Sequence, residues 1–525
     1  MKNKYGIAVS IWILLFICTS CVRQVSISKT DYTKSDYLDE SILRLESELS
    51  QTKLTEITVQ KENGQTPEED QIILWQDPVL EKMIRKGLHK PDNDILVKDV
   101  MNIESVLIVE ESFIFIDEPL FDGLSYMDIR DDIRNEQTLP ICEEDWNKMN
   151  IGNIQSLDDF VYFQGLKKLK IMRNSIQELD ILKQLIHLTE LDLWGNQIKE
   201  ISALSELQNL SMLSLGWNSI NDIQALSKLI NLNALSLDWN SIKNIQALSE
   251  LKNLNFLSLI NNSINDIQPL SELKNLETLV LDENSVRNIQ TLTELSGLRF
   301  LSLRANNIQD INPLSALINL QELDLSFNPH VPYVHSAKQQ QEREVLDISQ
   351  LAQLTSLTKL HLGWSGVRNI QALSHLSGLT YLDLSSTGII DFEPISKLVN
   401  LHELYLLEMP QIMDINWISG LKNLEILKIA NCSVTDISSL SELIKIQNLD
   451  LHTTGGQRFG QSITDISALI DMSELVYLRL DGNKISDISP LAHLTNLQKV
   501  DLESNPITDW TPVTHVPDVA GRDNL

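Results

Sequence analysis

The chain has 525 residues, 42% hydrophobic and 6% aromatic, with 72 acidic residues against 42 basic ones and a formal net charge of -30. So large an acidic excess disfavours nucleic acid and anionic membrane surfaces, where Lys and Arg must neutralise phosphates. Four cysteines in a chain of this length argue against a disulfide framework.

At the start, Lys2 and Lys4 precede an apolar run from Gly6 to Ile17, which meets Cys18-Thr-Ser-Cys21. A basic start, a short apolar stretch and small residues before a cleavage point describe a secretory signal over residues 1–21. The run is shorter than the ~20 residues a membrane-spanning helix needs. Small residues before Cys21 resemble the lipobox of bacterial lipoproteins, which implies cleavage there and lipidation of Cys21. Residues 22–71 are polar and acidic and read as a tether, with Leu38, Ile42, Leu45 and Leu49 on one face of a short amphipathic helix.

Residues 72–165 form a capping region. Asp77 to Leu88 has helical spacing, and Val106–Val109 with Phe113–Ile116 read as a hairpin separated by Glu110-Glu-Ser.

From residue 166 to 510 the pattern becomes periodic. Asn174, Asn196, Asn218, Asn240, Asn262, Asn284, Asn306 and Asn328 recur every 22 residues, each closing the phrase L-x-x-L-x-L-x-x-N. The slot continues at Ser365, Thr387, Met409, Cys432, Thr454, Asn483 and Asn505, about fifteen units in all, with insertions at 329–343 and 455–461. A fixed period of this kind means a solenoid of stacked coils. The x-L-x-L-x segment alternates as a strand with one buried face. The next stretch, such as Ile220 to Leu229, spaces its apolar residues three apart, as a short 3₁₀ turn requires. Asp222, Asp266, Asp310, Asp436 and Asp487 are placed to cap that turn. The asparagine amide can bridge coils in a ladder. Units that have lost it at Ser365, Thr387 and Met409 are expected to be the least regular.

The full phrase, as in Leu188-Thr-Glu-Leu191-Asp-Leu193-Trp-Gly-Asn196-Gln-Ile198-Lys-Glu-Ile201, resembles the 22-residue leucine-rich repeat of internalins and related bacterial surface proteins. The resemblance implies an α/β horseshoe with a parallel, concave β-sheet, a convex side of short 3₁₀ or helical turns and a helical N-terminal cap. Residues 511–525 resemble the terminal seal. It also implies a non-enzymatic binding role at the cell surface, without naming a receptor.

Chemistry is sparse. There is no Gly-rich phosphate loop and no H-E-x-x-H helix. Gly363-Trp-Ser365-Gly366 lacks the spacing of a nucleophile elbow, and the repeat phase explains Ser365. His330 and His335 lack a third metal ligand. No catalytic residue, metal or cofactor is expected.

Binding is expected on the outward positions of the strands. Reading those slots gives Trp194, Trp217, Trp239, Phe256, Phe300, Phe327, Trp364, Tyr381 and Tyr405, rimmed by Glu190, Asp192, Asp238, Asp282, Arg304, Asp324, His361 and Asp383. Trp and Tyr dominate interface hot spots, and the acidic excess suits a protein partner with accessible Lys or Arg. Recognition of a glycan by the same aromatic strip is the second reading. A cytosolic scaffold like phosphatase regulatory subunits, which carry similar repeats, is a third, opposed by the signal segment. The expected location is outside the cytoplasm, anchored as a lipoprotein, or else secreted.

Overall fold

The computed structural model describes residues 68–109, 113–116, 152–328, 345–453 and 462–522. The signal, Cys21, the tether up to residue 67, the histidines of the long insertion and Thr454 lie outside the described residues.

Every coil repeats one local solution. In the second coil, Leu188, Leu191, Leu193, Ile198, Ile201, Leu204 and Leu207 all point inward and are closed to solvent. The strand that carries the period-two leucines is three residues long in most coils, as in β4 (Glu190–Asp192), which follows β3 (Lys168–Met172). Successive strands pair in parallel with like positions aligned, so Leu169, Leu191, Leu213 and Leu235 form one buried row. The described sheet has eighteen strands, from β1 (Ser105–Val109) to β18 (Asp518–Ala520). All are parallel except β2 (Phe113–Ile116), which makes an antiparallel hairpin with β1. On the return side each coil makes a short 3₁₀ turn, as over Ser202–Glu206 and Gln224–Lys228.

Two asparagine ladders hold the coils. In the first, Asn284 donates to the carbonyls of Leu259, Leu281 and Asp282 at 2.8, 3.1 and 3.0 Å, and its Oδ1 accepts from the Ile264 N–H at 3.0 Å. Backbone groups of two coils that would otherwise be buried unpaired are thereby satisfied. The second ladder was not anticipated. Asn209, Asn231, Asn253 and Asn275, in the L-x-N-L phrase, each donate to a carbonyl 23 residues earlier at 2.8–2.9 Å. The capping aspartates behave as expected: Asp222, Asp266, Asp310, Asp436 and Asp487 each accept the N–H two residues on, at 2.9 Å.

The coils without the first amide are not irregular, contrary to expectation. Thr387 Oγ1 donates to the Leu384 carbonyl within its own coil at 2.7 Å, and Gln411 reaches back to the Thr387 and Ile389 carbonyls at 2.8 and 3.1 Å. A hydroxyl and a displaced amide thus replace the missing groups. The sheet also stays in register across the long insertion, with Asp324 of β10 (Glu322–Asp324) opposite His361 of β11 (Lys359–His361).

The first coil cannot stack on another, and a cap closes it. Helix α1 (Pro78–Gly87) begins at Asp77, whose Oδ1 accepts from the Val79 and Leu80 N–H groups at 2.9 and 3.0 Å. The other oxygen accepts from Gln155 and Ser156 N–H at 2.7 and 3.1 Å, tying the helix to the first coil. A short α2 (Val97–Val100) then leads into β1, which pairs with β3. At the far end Trp510 and Val513 seal the stack beside β18.

Candidate binding face

The residue before the ladder position has a left-handed backbone in coil after coil. It is Gly195, Asn261, Ala305 or Ser386 in some, and Trp217, Trp239, Phe327 or Trp364 in others, the aromatic four at φ 54, 54, 57 and 53°. Those four were expected on outward strand positions. They stand instead three residues past the strand ends at Ser214, Ser236, Asp324 and His361, where the chain turns along the edge of the concave face. The sign of φ is set by the turn, not by the residue, so residue identity did not disclose it.

Trp194 occupies the position before Gly195. A Cβ at Gly216, in the next coil, would lie 2.7 Å from the Trp194 indole, so glycine is what lets that ring lie across the neighbouring backbone. The result is a pile: Trp194 on Trp217 with centroids 5.5 Å apart, and Trp217 on Trp239 at 5.3 Å. Trp217 is 45% exposed and Trp239 36%. Further along, Phe327 and Trp364 stack almost parallel at 5.2 Å, with the Arg304 guanidinium 4.6 Å from the Phe327 centroid.

The remaining aromatics do lie on the strands, but at different depths. Phe256 is half-buried, whereas Phe300, Tyr381 and Tyr405 are nearly closed to solvent. Tyr381 packs against His361 and Tyr405, at 4.4 and 5.2 Å between ring centroids. Rings of adjacent coils thereby cover the faces of Tyr381 and Tyr405.

Most of the acidic residues expected as a rim form a floor. Asp192, Asp238, Asp324 and Asp383 are buried, and Glu190, Asp282 and Arg304 are half-buried. Asp238 accepts from Ser258 Oγ at 2.6 Å, Ile260 N–H at 2.8 Å and Ser236 Oγ at 3.0 Å. Asp282 accepts from Ser302 Oγ and from the Arg304 N–H at 3.0 Å. For Asp238 and Asp282 the signal for this lies in the serine 20 residues on, Ser258 and Ser302. Burial pushes Asp192, Asp238 and Asp383 above the usual carboxylate range despite these bonds. Burial, reinforced by the charge of Asp324, brings Asp282 to about 7.

That shift fixes a pH dependence. A carboxyl that holds its proton more tightly when folded contributes fully below its unfolded pKa, near 4, and the contribution is lost as pH rises through about 7. Asn at 282 keeps an acceptor but has no proton to lose. The urea midpoint of Asp282→Asn is therefore expected to gain on that of the parent between pH 4 and 7 and then level off. A difference constant over that range would contradict the assignment.

Among the described residues no three of His, Cys, Asp and Glu are grouped to hold a metal ion. Cys432 is buried with its thiol pushed up to about 12 by burial, so it is not a ready nucleophile.

A family model for leucine-rich repeats, described as two copies, matches residues 164–206, 296–332 and 473–515. The fold is that of an internalin-like leucine-rich-repeat solenoid. The structure of an internalin, InlF, from Listeria monocytogenes superposes with a TM-score of 0.58 at 24% identity, over 72% of this chain and 96% of that one. A leucine-rich-repeat protein of Leptospira interrogans gives 0.52 at 23% identity, over 69% and 92%. A TDR receptor gives 0.54 at 20% identity, over 71% and 66%. No curated protein matches the sequence of this chain. The leucine-rich-repeat fold is typical of protein–protein interaction modules. Among the described residues of this one, no helix is long and apolar enough to cross a membrane.

Proposed function

We propose that this leucine-rich-repeat chain is a non-enzymatic binding protein of the bacterial cell surface, held by a lipid on Cys21, that grips a protein partner along the aromatic edge of its concave sheet. The observation that carries the reading is the pair of part-exposed indoles at left-handed positions, Trp217 and Trp239. A bulky residue there costs about 1–2 kcal/mol relative to glycine. Stacking returns about 0.5–1.5 kcal/mol per pair. The scaffold gains little or nothing by them, since Gly195 and Gly482 make the same turn without strain. Exposed aromatics kept at a cost are what an interface hot spot requires.

The stacking also bears on the glycan reading. A sugar ring needs an open aromatic face, and here Trp217 lies between Trp194 and Trp239 while Phe327 lies between Arg304 and Trp364. These two inner rings offer edges more than faces, which suits the mixed apolar and polar surface of a protein. The acidic floor favours a partner that brings Lys or Arg.

The test is crosslinking on intact cells, comparing the native chain with Trp217→Ala/Trp239→Ala. The variant is expected to lose one protein partner, with affinity for it falling by about 2–4 kcal/mol once purified, and to melt at nearly the parent temperature. Unchanged capture with a lowered melting temperature would make the indoles scaffold and remove this face as the site.

A further inference from the structure

The centre of the concave face holds a group of buried polar atoms that the fold leaves unpaired. Glu322 Oε1, His361 Nε2 and Tyr381 Oη are closed to solvent and make no hydrogen bond within the described protein. They belong to adjacent strands, β10, β11 and β12 (Tyr381–Asp383). The sheet register places Glu322, Lys359 and Tyr381 in one row and Asp324, His361 and Asp383 in the next. His361 Nε2 stands 3.8 Å from Glu322 Oε1, too far for a hydrogen bond, while Lys359 Nζ holds the other Glu322 oxygen at 3.7 Å. Buried polar atoms without partners are rare in native proteins and costly to keep.

We infer that Glu322, His361 and Tyr381 form a receiving subsite for a primary ammonium group, the lysine side chain of a partner, which competes with the proton of His361. An ammonium has three donors and no acceptor. The three unpaired atoms are a carboxylate oxygen, a phenol oxygen and, in the neutral tautomer protonated at Nδ1, an imidazole nitrogen; all three accept. A guanidinium fits less well, because the two Glu322 oxygens are already turned to different neighbours and offer no fork. The same patch already seats one ammonium elsewhere, with Lys428 Nζ 5.4 Å from the Tyr405 ring centroid. Entry requires Lys359 to move aside; its side chain is partly exposed and is held to Glu322 by the 3.7 Å ion pair.

Protonation of His361 closes the subsite, since the imidazolium then donates toward Glu322 and repels a second cation. The groups facing the ring are Glu322 and Asp324 on β10, Lys359 on its own strand, and Tyr381 and Asp383 on β12, with Glu403 and Tyr405 one strand further. Burial alone pulls the imidazole down, but Glu322, Asp324 and Asp383 together hold it above its ordinary value. Lysine binding is therefore favoured at high pH and opposed at low pH.

This inference rests on the concave face being the binding surface, and its probe is independent of the unidentified partner. Tetralysine is titrated into the full chain at pH 6 and pH 8, at fixed physiological ionic strength, beside tetra(N-acetyl-lysine). Binding is expected to be at least tenfold weaker at pH 6 and absent for the acetylated peptide. Glu322→Gln should lose at least tenfold at pH 8, and Tyr381→Phe severalfold, whereas Glu294→Gln, an exposed carboxylate on the return side, should match the parent. His361→Asn should bind with less than a twofold pH effect. Equal binding at both pH values, a pH effect that survives His361→Asn, or equal losses in Glu322→Gln and Glu294→Gln would overturn the subsite and leave only attraction to a chain of net charge -30. The edge is read separately, by crosslinking of the Trp217→Ala/Trp239→Ala variant, so failure of the edge and failure of the subsite are separable.

Discussion

Leu215→Asp is expected to unfold the coils around the third repeat, lowering stability by about 5 kcal/mol or more, beyond the usual range for single substitutions. Leu215 is fully buried, and its carbonyl accepts from both Asn218 and Asn240 at 3.0 Å. The substitution removes a packed side chain and places an ionisable group where nothing pairs with it. Truncation alone, Leu215→Ala, is expected to cost about 2–5 kcal/mol, so the excess isolates the polar penalty. Because each coil touches chiefly its neighbours, the damage should be local. Hydrogen exchange should accelerate from β4 to β6 (Ala234–Ser236) while the coils beyond Asn483 stay protected. A variant that melts like the parent would mean that this position is not core.

Asn306→Ala is the second large effect, at about 3 kcal/mol, because the loss falls on backbone groups that cannot find water. Asn306 is closed to solvent; it donates to the Leu281, Leu303 and Arg304 carbonyls at 2.9, 3.1 and 3.1 Å and accepts from the Val286 N–H at 2.9 Å. The carbonyl of Leu281 also receives Asn284 at 3.1 Å, so the uncompensated loss is chiefly the Val286 N–H. Asn306→Thr should recover part of it, its hydroxyl oxygen accepting from the Val286 N–H while its proton goes to the Leu303 carbonyl, the bond Thr387 makes to Leu384 at 2.7 Å. Urea unfolding of the three proteins orders them parent, Thr, Ala. If Thr is no better than Ala, the hydroxyl is not what keeps the amide-free coils regular.

The leucine and isoleucine positions, the 22-residue asparagines and the capping aspartates are legible because each is a local code, repeated in every coil against a near-copy of itself. The second ladder was equally local, in Asn209, Asn231 and Asn253, but the L-x-N-L phrase looks like ordinary surface polarity until the carbonyl 23 residues earlier is seen above it. The candidate site was harder. Alternation told which side of the strand Phe300, Tyr381 and Asp383 face, but not that they lie buried there, because depth depends on what the adjacent coils carry at the same height.

By itself, then, the sequence determined the solenoid, its period and the identity of its inward residues, since stacking identical units asks only that each unit bury the same face. Tertiary structure alone decided the rest. It gave Trp217 and Trp239 a left-handed backbone that no residue preference predicts, because the ladder turn imposes it. It also set Glu322 beside His361 across an insertion, 39 residues apart in the chain and 3.8 Å apart in space, because the sheet keeps its register when the coil between them lengthens.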